Sequence, residues 1–404
     1  MTETELLFNP LEPAFAGDPY PAYRLLREAD PVHEHPFGFW MLTRYEDVAA
    51  TLRAGLSVEM RHLAEGVVRA QFDELDQSGS NVFSMSMLDR DPPDHTRLRS
   101  LVSKVFTPRS VAALEPEIVR LVDVALERIE REGRADLVSA LAFPLPFMVI
   151  SRMLGVPSSD HARIRELSGL LVNSLEVVGD PELLKAIAAA GQELDGVARE
   201  LIAWKRANPA DDLLSALIAA EHEGAMLSDD ELVAQLVLLY VAGHETTVSL
   251  ISNGVLALLR NPDQLELLRA NPDLAGNAVE EFLRYDSPVQ QTRRITTAPY
   301  TVGGREIPAN SFVITCLASA NRDESYWGPD ADRLRLDRPN ARTHVSFSAG
   351  PHHCLGAALA RLEGRVAIQR LVERFPDLAL DGEVVWNGRI NLRGPKTLPI
   401  RVTP

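Results

Sequence analysis

Apolar residues recur at helical spacing along most of the chain: in residues 19–28, 94–105, 110–132, 149–154, 159–177, 181–208, 228–260, 262–271, 273–285 and 355–373. Strand-like patterns are confined to a few places. Residues 31–35 and 39–43 flank Phe37-Gly38 and predict a hairpin. Residues 300–302 and 312–317, joined through Gly303-Gly304 and a turn at Pro308-Ala309-Asn310, predict a second. The pattern is that of a mainly α protein with small β-sheets, an α+β architecture. If the two hairpins pair, both halves of the chain share one sheet. The expectation is then a single domain over residues 1–404, with a small β-rich region that includes about 31–43 and 294–318.

The longest helical pattern opens on Ser228-x-x-Glu231, a capping box, and stops at Asn261-Pro262. A helix of roughly 30 residues, about 45 Å long, lies between them. Residues 232–242 are apolar almost all round, interrupted by Gln235, which marks an interior helix. Its middle reads Ala242-Gly243-His244-Glu245-Thr246-Thr247. Gly and Thr are poor mid-helix residues, and a carboxylate in an apolar helix is costly unless it has a task. A threonine hydroxyl can divert a main-chain carbonyl, so a local opening of the helix is expected here. His244-Glu245 does not continue as a zinc-protease helix, because Val248 stands where the second histidine would fall.

Candidate chemistry concentrates in Phe347-Ser-Ala-Gly350-Pro-His352-His353-Cys354-Leu-Gly356. The sulfur stands where a helical pattern begins, and free N–H groups with the positive end of the dipole favour a thiolate there. Gly350 and Gly356 would let the backbone approach a flat macrocycle. Three other readings stay open on these residues alone: a buried apolar thiol, a zinc site with His352 and His353, and a cysteine nucleophile. Upstream, Asp91-Pro-Pro-Asp-His95-Thr-Arg-Leu-Arg99 opens a helix with His95 and Arg99 on one face, two donors suited to an acidic ligand.

Composition narrows the partners. The chain of 404 residues has a net charge of −16, which argues against nucleic acid and anionic membrane. Two cysteines exclude a disulfide framework and fit a reducing, cytoplasmic location. The first residues carry no signal-peptide pattern, and residues 232–243 are too short to span a bilayer, so no membrane anchor is expected.

The F-x-x-G-x-H-x-C-x-G pattern around Cys354 resembles the haem-binding loop of the cytochrome P450 superfamily, with Ser348 at its usual second-position Gly. A-G-x-E-T-T resembles that family's oxygen-activating segment, and H-T-R-L-R and Glu281-x-x-Arg284 match further motifs in order. The resemblance implies the cytochrome P450 fold, with haem b (iron protoporphyrin IX) sandwiched between the long central helix and the cysteine loop with its following helix. Cys354 would be the axial thiolate and metal ligand. His95, Arg99, Arg294 and His352 would face the propionates, while Phe347, Gly350 and Gly356 complete the cofactor site. Glu245 and Thr246 would relay protons to dioxygen, which consumes two in a dry pocket. Glu281, Arg284 and Arg338 would be structural.

The activity implied is monooxygenation of a hydrophobic small molecule, in secondary metabolism or in xenobiotic or steroid-type oxidation. Electrons would come from NAD(P)H through a separate ferredoxin and ferredoxin reductase, docking on Arg97, Lys104, Arg109, Arg361 and Arg365. Val82, Phe83, Met85, Met87, Leu239, Ala242, Val289, Gln291 and Leu392 fall in the family's pocket segments, and Gln290 with Gln291 would orient the substrate. Other readings of the same chain are a peroxide-driven peroxygenase, a non-catalytic haem sensor and a haem-free hydrolase.

Overall fold

The helix Asp229–Arg260 is the axis around which the rest packs, and its start is the expected capping box: Ser228 Oγ accepts from the Glu231 N–H, and Glu231 Oε2 accepts from the Ser228 N–H. The structure, a computed structural model, describes residues 9, 15, 17–64, 66–77, 83–176, 178–222 and 225–403. The central helix as a whole is long and apolar enough to cross a membrane, which the shorter run 232–243 had not suggested. However, 78% of its most apolar window is buried, so it is a core helix. Pro144–Leu154, Pro181–Ala207, Ala275–Tyr285 and Ala357–Arg374 pack against it. Gly254 permits this closeness: a Cβ there would lie 2.8 Å from Ile368 and 3.0 Å from Phe282.

Most predicted helices form within a few residues of their expected ends. Residues 110–132 divide into Pro108–Ala112 and Glu115–Glu132, since Pro116 lacks an N–H and fits only a first helical turn. The stretch expected to run to 177 is helical only over His161–Leu171, followed by a tighter turn at Val172–Leu175; residue 177 lies outside the described residues. Tyr45–Arg53 and Leu213–Ala219 are helices that the pattern did not reveal.

The sheet joins the two ends of the chain. Its strand order is Val32–His35, Phe39–Leu42, Phe312–Thr315, Thr292–Ile295, with Phe39 beside Phe312 in the parallel pair. The second expected hairpin is corrected. Tyr300–Val302 pairs with Arg305–Ile307 instead of with 312–317. Gly303 and Gly304 both have positive φ (56° and 77°), the geometry of a two-residue turn that returns the chain onto its immediate neighbour. Phe312–Thr315 is thereby released to enter the main sheet, and Leu317 begins a short helix.

Candidate haem site

Three elements converge on Cys354: the loop that carries it, the helix Asp94–Val105 and the strand Thr292–Ile295. The loop is closed by main-chain bonds from Cys354 N to Phe347 O (2.8 Å), from Ser348 N to Val345 O (2.8 Å) and from His353 N to Gly350 O (3.1 Å). The Arg361 guanidinium lies 4.5 Å over the Phe347 ring. Gly350 is required for a reason other than the one expected. Its φ is 68°, and a Cβ would stand 2.6 Å from the Leu52 carbonyl oxygen, so it admits the helix Tyr45–Arg53. Gly356 has no such crowding; its nearest neighbour would be Cys354 Sγ at 3.9 Å.

Ser348, standing at the motif's glycine position, has a φ of 59° and is one of two described non-glycine residues in the left-handed region. Its hydroxyl gains only a 3.5 Å contact to Arg294. Replacing it with glycine should therefore stabilise the protein by about 1 kcal/mol. The check is the urea midpoint of S348G against the parent; an unchanged or lower midpoint would show that Ser348 is not strained.

Cys354 is exposed, unlike the wholly buried Cys316. Desolvation by the surrounding chain raises its thiol, while the Gly356 N–H, Arg99, Arg361 and the Ala357 N–H pull in the opposite direction. The helix start thus pulls the thiol down against the desolvation of the surrounding chain. A bound cation would have to complete the ionisation.

The residues expected to face propionates do meet. The rings of His95 and His352 lie 4.2 Å apart, and Arg99 Nη2 donates to the His353 carbonyl at 2.6 Å. Arg294, 2% exposed, donates to the Arg293 carbonyl (2.6 Å) and reaches only hydroxyls besides. His95 Nε2 is buried without a hydrogen-bond partner. Burial lowers His352, and His95, Arg294, Arg99 and Arg293 lower it further, to about 3. A cluster of donors without an ion-pair partner, His95 and Arg294 buried and Arg99 and His352 half-buried, with an orphaned nitrogen among them, fits a ligand bearing two carboxylates, as haem does. Arg293, the competitor for this role, is instead paired with Asp89.

The second expected constellation lies on the central helix. Thr246 Oγ1 donates to the Ala242 carbonyl (2.8 Å) and Thr247 Oγ1 to the Gly243 carbonyl (3.3 Å). The helix nonetheless runs unbroken from Asp229 to Arg260, so the predicted local opening is not present. His244 is buried between Phe143 and Phe147; burial pushes it down to about 4. Glu245 is not an isolated acid. Its Oε2 lies 2.9 Å from Arg389 Nη1, and Arg389 also reaches Asn173 Oδ1 at 3.3 Å. The next main-chain N–H groups, of Ile390, Asn391 and Leu392, donate to the Glu176 carboxylate. Neither Arg389 nor Glu176 was found from sequence, since each acts across more than a hundred residues.

The pocket candidates separate into three groups. Phe83 and Met87 are buried within the main apolar cluster with Leu239 and Leu392. Met85, Val289 and Gln291 are half-buried, Ala242 is exposed, and Val289 bridges Leu392. Val82 lies outside the described residues. Gln290 is 1% exposed; its amide nitrogen donates to the Ser287 carbonyl and its Oε1 is buried without a partner.

The docking patch also changes. Arg97 pairs with Glu231, Arg361 with Glu280 (2.9 Å) and Arg365 with Glu115 (2.5 Å), which neutralises most of it. Beside the cysteine loop stand the exposed Arg53 and Arg342, the latter sharing the Glu280 carboxylate with Arg361, so the two arginines at Glu280 keep a net positive charge. Arg53 and Arg342 line a depression of about 390 Å³ together with Tyr45, Tyr326, Arg361 and His353. Zinc finds no support at Cys354: the group of ligand side chains that converges among the described residues is Glu59, His62 and Asp91.

The family model described as Cytochrome P450 matches residues 35–385. The chain is 44% identical over 399 residues to the vitamin D(3) 25-hydroxylase of Pseudonocardia autotrophica, covering 96% of this chain and 95% of that one. It is 41% identical to the cytochrome P450 monooxygenase PikC of Streptomyces venezuelae, over 96% and 92% of the two chains. Among solved structures, P450BioI in complex with acyl carrier protein ligated to hexadec-9Z-enoic acid superposes with a TM-score of 0.89. It has 34% identity over 96% of this chain and 99% of that chain.

Proposed function

Because this chain belongs to the cytochrome P450 family, and is an enzyme of its monooxygenase class, we propose that it oxidises a hydrophobic small molecule of secondary metabolism with electrons delivered by a separate ferredoxin. The observation that carries the reading is the cluster of His95, Arg99, Arg294 and His352, donors without an anion, one loop away from an exposed cysteine. The family implies a haem-thiolate. Bound there, haem would supply the redox iron at which dioxygen is activated. Cys354 would hold it from the loop side, with the guanidinium and histidine groups on its carboxylates.

The chain's own part in the reaction is to exclude water and move protons. Residues 232–241, Gln235 apart, supply buried apolar groups. Thr246 donates its hydroxyl proton to the Ala242 carbonyl, which leaves the oxygen lone pairs free to accept a bond from the pocket side. Glu245, one residue away and fixed by Arg389, is the acid that passes protons towards that hydroxyl. Two cysteines cannot build a four-cysteine iron–sulfur centre, and on this reading reducing equivalents from NAD(P)H would reach the site through partner proteins. Acidic groups of a ferredoxin would meet Arg53 and Arg342 beside the loop. Apolar Phe83, Met87, Leu239 and Leu392 favour a lipophilic substrate, and the names of the relatives, among them a vitamin D(3) hydroxylase and a 6-deoxyerythronolide B hydroxylase, point the same way.

Thr246→Ala tests the proton path. Haem and substrate binding should survive, while the fraction of NAD(P)H converted to product falls by about a hundredfold and hydrogen peroxide takes its place. The measurement is product and peroxide per NAD(P)H with ferredoxin and reductase present. Unchanged coupling would remove Thr246 from the path, and turnover supported by peroxide alone would point to a peroxygenase.

A further inference from the structure

Gln235 is the polar interruption in the apolar run of the central helix, and no proton path uses it. Its side chain is 0% exposed and fully engaged: Oε1 accepts from the Met87 N–H (3.2 Å) and Nε2 donates to the Met85 carbonyl (3.3 Å). The amide thus bonds a loop in both directions, as a neighbouring strand would. Within that loop the Ser86 N–H donates to Phe83 O at 2.8 Å and the Asp89 N–H to Ser86 O at 3.2 Å. Its far end is fastened by Arg293 to Asp89, and by Ser57 Oγ and the Val58 N–H to Asp91.

Position gives this clamp its meaning. Gln235, Leu239, Ala242 and Thr246 are spaced i, i+4, i+7 and i+11, so they lie along one face of the helix. A loop held at Gln235 is therefore held at one end of the stripe that finishes at the oxygen-activating threonine. The loop brings Met85 and Met87 to this end, two thioether side chains able to adapt to a ligand's shape. A glutamine in a buried helix face has no packing advantage over leucine or methionine. What it supplies is fixed register for the loop.

We propose that Gln235 is a positioning residue that sets substrate selectivity, by fixing the Met85–Met87 loop over the Leu239–Ala242–Thr246 face; this rests on the monooxygenase reading above. Removing the clamp leaves a main-chain N–H and carbonyl to find other partners, so the loop must be ordered anew by each bulky ligand, while a ligand too small to touch it is unaffected.

The test uses full-length haem-loaded protein carrying Gln235→Met, which keeps the size and removes both bonds. Two azoles report on the pocket by optical titration, imidazole as the small probe and clotrimazole as the bulky one. Hydrogen exchange reports on the loop. The amides of residues 85–88 should exchange about tenfold faster while those of residues 240–250 do not change. Clotrimazole should bind about tenfold more weakly, with imidazole within about twofold of the parent. Parent-like exchange at residues 85–88, or an equal loss for both azoles, overturns the proposal. If Gln235→Met does not fold, Gln235→Glu, which keeps the acceptor for the Met87 N–H and loses the donor to the Met85 carbonyl, should shift the same readings in the same direction by a smaller factor, and parent-like readings in it overturn the proposal. Failure of the monooxygenase reading looks different: the unsubstituted protein would then lack the red-shifted ferrous carbon monoxide band, whereas the exchange experiment would still report whether Gln235 grips the loop.

Discussion

Replacing Cys354 with serine is expected to abolish the red-shifted Soret band of the ferrous carbon monoxide complex and to reduce monooxygenase turnover to background. The substitution is nearly isosteric, and the interactions that shape the loop are main-chain bonds: Cys354 N to Phe347 O, Ser348 N to Val345 O and His353 N to Gly350 O. The fold and the cluster of His95, Arg99, Arg294 and His352 should therefore persist, and with them some capacity for haem. What disappears is the ligand, since a serine hydroxyl ionises far less readily than a thiol and donates less electron density to iron. The remaining sulfur cannot substitute. Cys316 is wholly buried, and burial pushes its thiol up to about 12 despite help from the Ser319 N–H, Tyr23 and Arg27. Cys316→Ser is the matched control and should leave the band intact. A band that survives in Cys354→Ser sinks the assignment of the axial ligand, and a colourless parent protein would favour the cysteine nucleophile.

Local signals carried much of the fold. The capping box at Ser228–Glu231 and the stop at Asn261-Pro262 bound the central helix because caps act within one turn. The Gly303-Gly304 turn was legible too, but its consequence was misread: a two-residue turn demands a partner strand three residues on, and 312–317 is too distant. Pairing across the chain was harder. Phe39–Leu42 beside Phe312–Thr315 could be anticipated only conditionally, since strand patterns do not name their partners. The same limit applies to the site. His95 and Arg99 alone read as a solvated basic face, and it took a family resemblance to direct them at a dianionic ligand; the burial of His95 and its orphaned Nε2 are a separate physical reason. Arg389 and Gln235 act across 144 and 148 residues, distances at which sequence periodicity carries no information.

Glu281→Ala should cost about 3–5 kcal/mol, a large share of the 5–15 kcal/mol that holds a typical domain folded. Glu281 and Arg284 are both 0% exposed, joined by two bonds of 2.7 Å, and Arg338 adds a third at 3.2 Å. The same carboxylate accepts the Arg335 N–H at 2.9 Å. Truncation leaves the Arg284 guanidinium in the interior without its carboxylate partner, while Arg338 keeps Asp330 at 3.1 Å, so the loss exceeds that of any one hydrogen bond. The damage should reach the haem loop. Arg284 also binds the carbonyls of Asn321, Ala331 and Arg333, and Asn321 in turn holds Ser346 and the Val345 N–H at the start of the cysteine loop. Urea unfolding and haem content measured together should both fall in Glu281→Ala. Glu280→Gln is the contrast. Of its partners, Arg342 and Arg361 are more exposed, so water can replace the lost charge there, and the buried His344 can stay neutral, so the penalty should be smaller. Equal penalties at the two positions would mean that burial of the Glu281 cluster is not what makes it matter.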